Sequence, residues 1–219
     1  MEKNDTLLQA FEWYLPDDSQ HWNKLKVLAP SFSNLGVTLV WLPPAYKGAG
    51  GVHDVGYGVY DLYDLGEFNQ KGTIPTKYGT KQEYLDAIDA LQKENISVLA
   101  DIVLNQKMGG DTEETIDVIK SDPNNRNEEI GGDYQITAWT KFTFPNRHGK
   151  YSTFTWNASH FDGTDWDEKK KQSAIYLIEG KNWDSNVDSE NGNYDYLMGC
   201  DIDFKNQEVL QEFNRWGKW

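Results

Sequence analysis

Carboxylates and aromatic rings are the groups with which this chain could do chemistry: 35 residues are Asp or Glu, nine are Trp and twelve are Tyr. Carboxylate oxygens in such number suit a hard cation, which takes about six to eight oxygen ligands. Flat rings suit apolar surfaces such as the faces of sugars. Each group also has a plainer use. Acids solvate a surface or close turns on their own backbone, and most Trp and Tyr fill cores. Tyr57 and Asp101 stand out by position, because Tyr57 comes after one apolar run that reads as a strand and Asp101 lies toward the end of another. Ligand sites of parallel α/β barrels gather at the C-terminal ends of strands. No pair among the acids can be singled out as a general acid and its partner base.

The balance of charge narrows the partners. With 21 Lys and Arg against 35 acids, the net charge is −14. Phosphate-rich partners need clustered cations, so neither nucleic acid nor an anionic membrane is expected. The sole cysteine, Cys200, rules out an internal disulfide and reads as a small buried hydrophobe. His21, His53, His148 and His160 are scattered and suggest no zinc site. Residues 1–5 lead directly into an apolar run, with no basic and apolar leader and no membrane-length stretch, so a cytoplasmic location is expected.

The elements that must hold these groups follow from hydrophobic period. Residues 7–14 read as a buried strand. Trp22, Leu25, Phe32 and Leu35 recur at helical spacing, with Gly36 as the stop and Pro30 expected to kink or split the helix. Residues 37–42 form a second strand. Residues 45–79 make a long Gly- and Tyr-rich connection of the kind that is usually functional. Thr80 and Glu83 form a capping box before a helix with Leu85, Ile88 and Leu91 inward. Residues 96–104 form a third strand. Strand–helix–strand–helix–strand with near-continuous apolar strands predicts a parallel sheet covered by helices. From Asn105 to Asp203 the chain turns polar, with short β-like runs at residues 135–144, 151–156 and 174–178, and irregular β structure is expected. Asn206 then caps a helix with Leu210, Phe213 and Trp216 on one face.

Four motifs occur in order. They are the run from Val55-Gly56-Tyr57-Gly58 to Glu67-Phe68; Asp101-Ile102-Val103-Leu104-Asn105-Gln106; the run from His160-Phe161-Asp162-Gly163 to Asp167; and the run from Glu190-Asn191-Gly192 to Met198. Together they resemble the bacterial liquefying α-amylases of glycoside hydrolase family 13, over nearly the whole chain. The resemblance implies an α/β fold, a partial (β/α)8 TIM barrel of three strand–helix units carrying an inserted irregular β domain, domain B. Residues 1–104 would be the barrel part, 105–205 the inserted calcium-binding domain, and 206–219 the third barrel helix. A full barrel takes about 250 residues, so a fragment that stops before the fourth strand is expected.

By the same resemblance Asn105, Asp195 and Asp201 bind calcium, and Asp162, Asp184 and Asp203 add ligands of a metal cluster that can include sodium. Lys205 stands where the family commonly has an acid, which counts against a second calcium. Tyr57 would stack on the sugar at the cleavage subsite, and Gln106 would hydrogen-bond it in place of the family's His. Asp101 would be structural. The implied activity is endo-hydrolysis of α-1,4-glucosidic bonds in starch, glycogen or maltooligosaccharides by a retaining mechanism, in a monomer. Retaining enzymes need two carboxyl groups about 5–5.5 Å apart, and the family's pair falls beyond Trp219. The chain is therefore expected to be inactive alone. A calcium-stabilised carbohydrate-binding protein without catalysis is the alternative.

Overall fold

In a computed structural model, residues 4–132, 134–188 and 194–219 are described, so the first half of the motif at 190–198 lies outside the described residues. The chain divides into two compact units, Met1–Val103 and Leu104–Trp219.

In the first unit β1 (Leu7–Gln9), β2 (Leu39–Leu42) and β5 (Ser97–Ala100) form a parallel sheet in the order β1-β2-β5. Val40 sits between Leu8 and Val98 in register. Val40 and Leu42 are fully buried and point into a cluster with Trp22, Leu25, Ala29, Tyr84, Ala87, Leu91 and Ile96. All of these but Ile96, which lies just before β5, come from α1 (His21–Asn34) and α2 (Lys81–Lys93), which pack on each other. The strands are shorter than their apolar runs, and residues 10–14 form no strand.

Two helix expectations are met only in part. Pro30 lies inside α1 without ending it. Proline removes one backbone bond, and the buried face of Trp22, Leu25 and Ala29 holds the helix through that loss. Gly36 then takes φ +81°, and the Val37 N–H returns to the Phe32 carbonyl at 3.0 Å, closing the helix end. In α2 the capping box forms as expected, with the Thr80 N–H donating to Glu83 at 2.8 Å. The inward face is Tyr84, Ala87 and Leu91, while Leu85 is 46% exposed. Leu91 is buried as expected and Ile88 packs against the core, so only Leu85 departs, with the aromatic Tyr84 buried beside it.

The connection at residues 45–79 contains β3 (Lys47–Gly48) and β4 (Val59–Asp61) as a short antiparallel pair. Its order comes from polar groups. The fully buried Lys47 ammonium donates to the carbonyls of Thr73 and Ile74, both at 2.7 Å, and pairs with Asp64 at 3.6 Å. Asp54 accepts from the N–H groups of Gly50, Gly56 and Gly58. A Cβ at Gly48 would lie 2.2 Å from the Asp54 side chain, so glycine is what lets the carboxylate enter.

The second unit is built on six strands in the order β6-β11-β9-β10-β7-β8, paired antiparallel. They are β6 (Gln106–Lys107), β7 (Thr112–Ser121), β8 (Tyr134–Lys141), β9 (Phe161–Asp167), β10 (Gln172–Ile178) and β11 (Cys200–Ile202). Irregular β structure is the expectation; the six strands form one sheet whose register shifts between β9 and β10, between β9 and β11, and between β7 and β8. Val118, Ile136, Ala138, Phe142, Phe161 and Tyr176 are buried here. Residues 151–156 form no strand, and only Trp156 bridges to Phe142. α3 (Gln207–Trp216) groups with this unit, capped by Asn206. Its most buried residues are Val209 and Glu212, with Leu210, Phe213 and Trp216 half-buried. Glu212 accepts from the Ser152 hydroxyl at 2.6 Å. Among the described residues no helix is long and apolar enough to cross a membrane.

Candidate metal centre and aromatic platform

In the second unit, strand pairing gathers carboxylates. β11 runs antiparallel to β9, with Asp201 opposite Gly163, the neighbour of Asp162. A side chain at Gly163 would meet the Trp183 ring at 2.2 Å and the Tyr176 carbonyl at 2.6 Å, so only glycine permits this packing. Asp195 reaches in from the segment before β11. One carboxylate oxygen from each of Asp162, Asp195 and Asp201 lies within 4.8 Å of the others. The Asn105 amide donates to Asp201 Oδ1 at 3.2 Å.

These acids do not share the space comfortably by themselves. Burial, then Asp203, pushes Asp162 up to about 7. Burial, then Asp195 and Asp162, pushes Asp201 up to about 8. Burial also raises Asp195. Asp201 is 1% exposed and its Oδ2 has no hydrogen-bond partner. Buried carboxylates in mutual repulsion, with an oxygen left over, are what a hard divalent cation relieves. The residues fit calcium.

The other expected ligands stand differently. Asp184 gives its backbone N–H to Asp195 Oδ2, and its own Oδ1 accepts from the Asn186 N–H at 3.0 Å. The Asp203 carboxylate is paired with the Lys181 ammonium and accepts from the Lys205 N–H at 2.8 Å. Burial works against its ionisation, but Lys181 and that N–H outweigh it and its pKa lies below the ordinary value. The Lys205 ammonium donates to the Asn182 carbonyl at 3.1 Å. Nothing in the residue pattern had marked Lys181.

In the first unit the Tyr57 hydroxyl donates to Asp101 Oδ2 at 2.8 Å. Burial, then this bond, pushes the phenol up to about 12. The ring lies parallel to Trp13, centroids 6.1 Å apart and planes within 6°. The apolar run at residues 7–14 predicts a buried strand position for Trp13, yet it is 61% exposed. In the second unit Gln106 is buried and lies on β6 directly across from Asp201.

The family model described as the α-amylase catalytic domain matches residues 26–196. The chain belongs to the α-amylase family. It is 56% identical over 218 residues to an α-amylase of Geobacillus stearothermophilus, covering 99% of this chain and 40% of that protein. It is 53% identical over 216 residues to an α-amylase of Bacillus licheniformis, covering 99% and 42%. The chain thus spans about two fifths of the length of the curated α-amylases it matches. Among solved structures, a truncated alternansucrase from Leuconostoc mesenteroides superposes with a TM-score of 0.55 at 26% identity, over 64% of this chain and 13% of that one. Its likeness accords with the α/β class.

Proposed function

We propose that this α-amylase-family chain is the N-terminal part of a retaining, endo-acting α-1,4-glucan hydrolase, binding starch, glycogen or maltooligosaccharides without cleaving them by itself. On this reading β1, β2 and β5 with α1 and α2 are the opening units of a (β/α)8 barrel, residues 105–205 are domain B, and α3 is the third barrel helix.

The observation that carries the proposal is the meeting of Asp162, Asp195 and Asp201 at one point, in a chain 56% identical to an α-amylase. These three would hold calcium together with Asn105, whose amide presents its oxygen after a half-turn. Asp184, one hydrogen bond away, and Asp203, once released by Lys181, complete the candidate set. Calcium, when bound, supplies two positive charges and a cross-link between β9, β11 and the loop of Asp195. On this reading the raised pKa values of Asp162 and Asp201 belong to metal ligands and not to a general acid. Tyr57 offers its ring to a sugar, held upright by Asp101. Gln106 can donate or accept a hydrogen bond but cannot carry charge.

Two measurements test the reading. Isothermal titration should show calcium binding that Asp201→Asn abolishes, and native gels containing glycogen should retard the chain. Reducing-sugar release from starch by the 219-residue chain should not exceed buffer. Absence of both calcium and glycogen binding, or measurable starch cleavage, would overturn it.

A further inference from the structure

Trp13 lies outside the roles assigned above. It is more exposed, at 61%, than Trp139 at 37% or Trp219 at 44%, and the adjoining Tyr14 is 87% exposed. A single exposed ring is ordinary on a protein surface. Three observations set this one apart.

Its segment is pinned. The Ala10 N–H donates to the Trp41 carbonyl at 3.0 Å, and Phe11 packs edge-on against the Trp41 ring at 5.3 Å. The Glu12 carboxylate accepts from the Tyr14 N–H at 2.7 Å, closing a turn around Trp13. The indole is therefore presented outward by a fixed backbone.

Its place is shared. Trp13 follows the C-terminal end of β1, Tyr57 lies on the connection after β2, and Asp101 directly follows β5. All three come off the same edge of one parallel sheet, the edge at which such sheets bind ligands.

Its orientation is shared as well. The indole and the Tyr57 phenol are parallel within 6°. Two parallel rings with centroids 6.1 Å apart turn faces of one orientation toward a ligand. The chain's net charge of −14 disfavours an anionic occupant and leaves a neutral one unopposed.

We propose that Trp13 is a glucan-contacting residue, forming with Tyr57 a two-ring platform along which successive glucose units of one chain stack. This rests on the reading of Tyr57 as a sugar-stacking residue and extends it to chain length.

The test uses the full chain and its Trp13→Ala, Trp13→Phe and Tyr57→Ala variants, titrated calorimetrically with maltose and maltohexaose and run in glycogen-containing native gels. Trp13→Ala is expected to bind maltohexaose about tenfold more weakly, the scale of one lost aromatic stack, with maltose little changed. Trp13→Phe should recover most of the loss, and equal melting temperatures would show that folding is untouched. If Trp13→Ala binds maltohexaose like the wild type while Tyr57→Ala does not, the platform is wrong and the role of Tyr57 survives. If Trp13→Ala weakens maltose and maltohexaose equally, the platform is also wrong, because the indole then acts only by propping Tyr57. If the unaltered chain binds no glucan at all, the platform falls together with the function proposed above.

Discussion

The phenol of Tyr57 and the carboxylate of Asp101 are 44 residues apart in sequence and joined by a 2.8 Å hydrogen bond. A long loop after one strand is thereby tied to the end of another. Removing the tie should loosen the ring without removing it. Asp101→Ala is expected to cost about 1 kcal/mol of stability, and to weaken glycogen retardation more than Tyr57→Phe, which keeps the ring packed on Trp13. Urea denaturation and affinity gels check both; equal behaviour of the two variants would count against Asp101 as the anchor.

The cation-free acid cluster gives a signed pH dependence. Asp162 and Asp201 have folded-state pKa values raised to about 7 and 8. Their native forms hold protons that the unfolded chain releases near its ordinary carboxylate range. Stability from this source is therefore complete below about pH 4 and lost as pH rises through 7 and 8. In EGTA, melting temperature should fall from pH 5 to pH 8. Added calcium should raise it more at pH 8 than at pH 5, because protons compete for the same oxygens. A calcium effect independent of pH would contradict the assignment.

Asp203 is occupied by Lys181, and Lys205 stands nearby. With Asp203 held by the Lys181 ammonium, equilibrium dialysis should count one calcium per chain. Lys205→Asp should raise the count or tighten the binding. Two ions on the unaltered chain would refute this.

Lys47 is fully buried among carbonyls and Asp64. Lys47→Met leaves those oxygens and the carboxylate without their cation, at a cost of about 3–5 kcal/mol. Denaturant midpoints should fall accordingly, with early proteolysis within residues 45–79. A loss below about 1 kcal/mol would show that water replaces the ammonium there.

Legibility in the sequence followed the physics of each element. The capping box of Thr80 and Glu83 was readable because it is local, two side chains answering two backbone groups. The parallel β1-β2-β5 sheet was readable from apolar runs, although only Val40 and Leu42 of β2 are buried deeply. β9 was not readable. Its Asp162, Gly163 and Asp165 are poor strand formers, and they sit in a strand because tertiary pairing and the acid cluster want them there. Lys47 and Lys107 are buried lysines whose cages come from distant carbonyls and from Phe142, Phe144 and Trp156. No period in the chain announces such a cage. Trp13 was hidden for the opposite reason, since its apolar neighbours made a surface ring look like core. Of the candidate sites, the acids that converge were named through family likeness; their spacing alone would have left them as turn residues.

The two-residue strand β6 has a consequence of its own. Gln106 is seated across from Asp201, so whatever settles on that aspartate steadies the rung beside it. Chains starved of calcium should therefore exchange amide hydrogens faster around residues 104–108, a loosening that reaches the neighbouring strand without any contact to the ion.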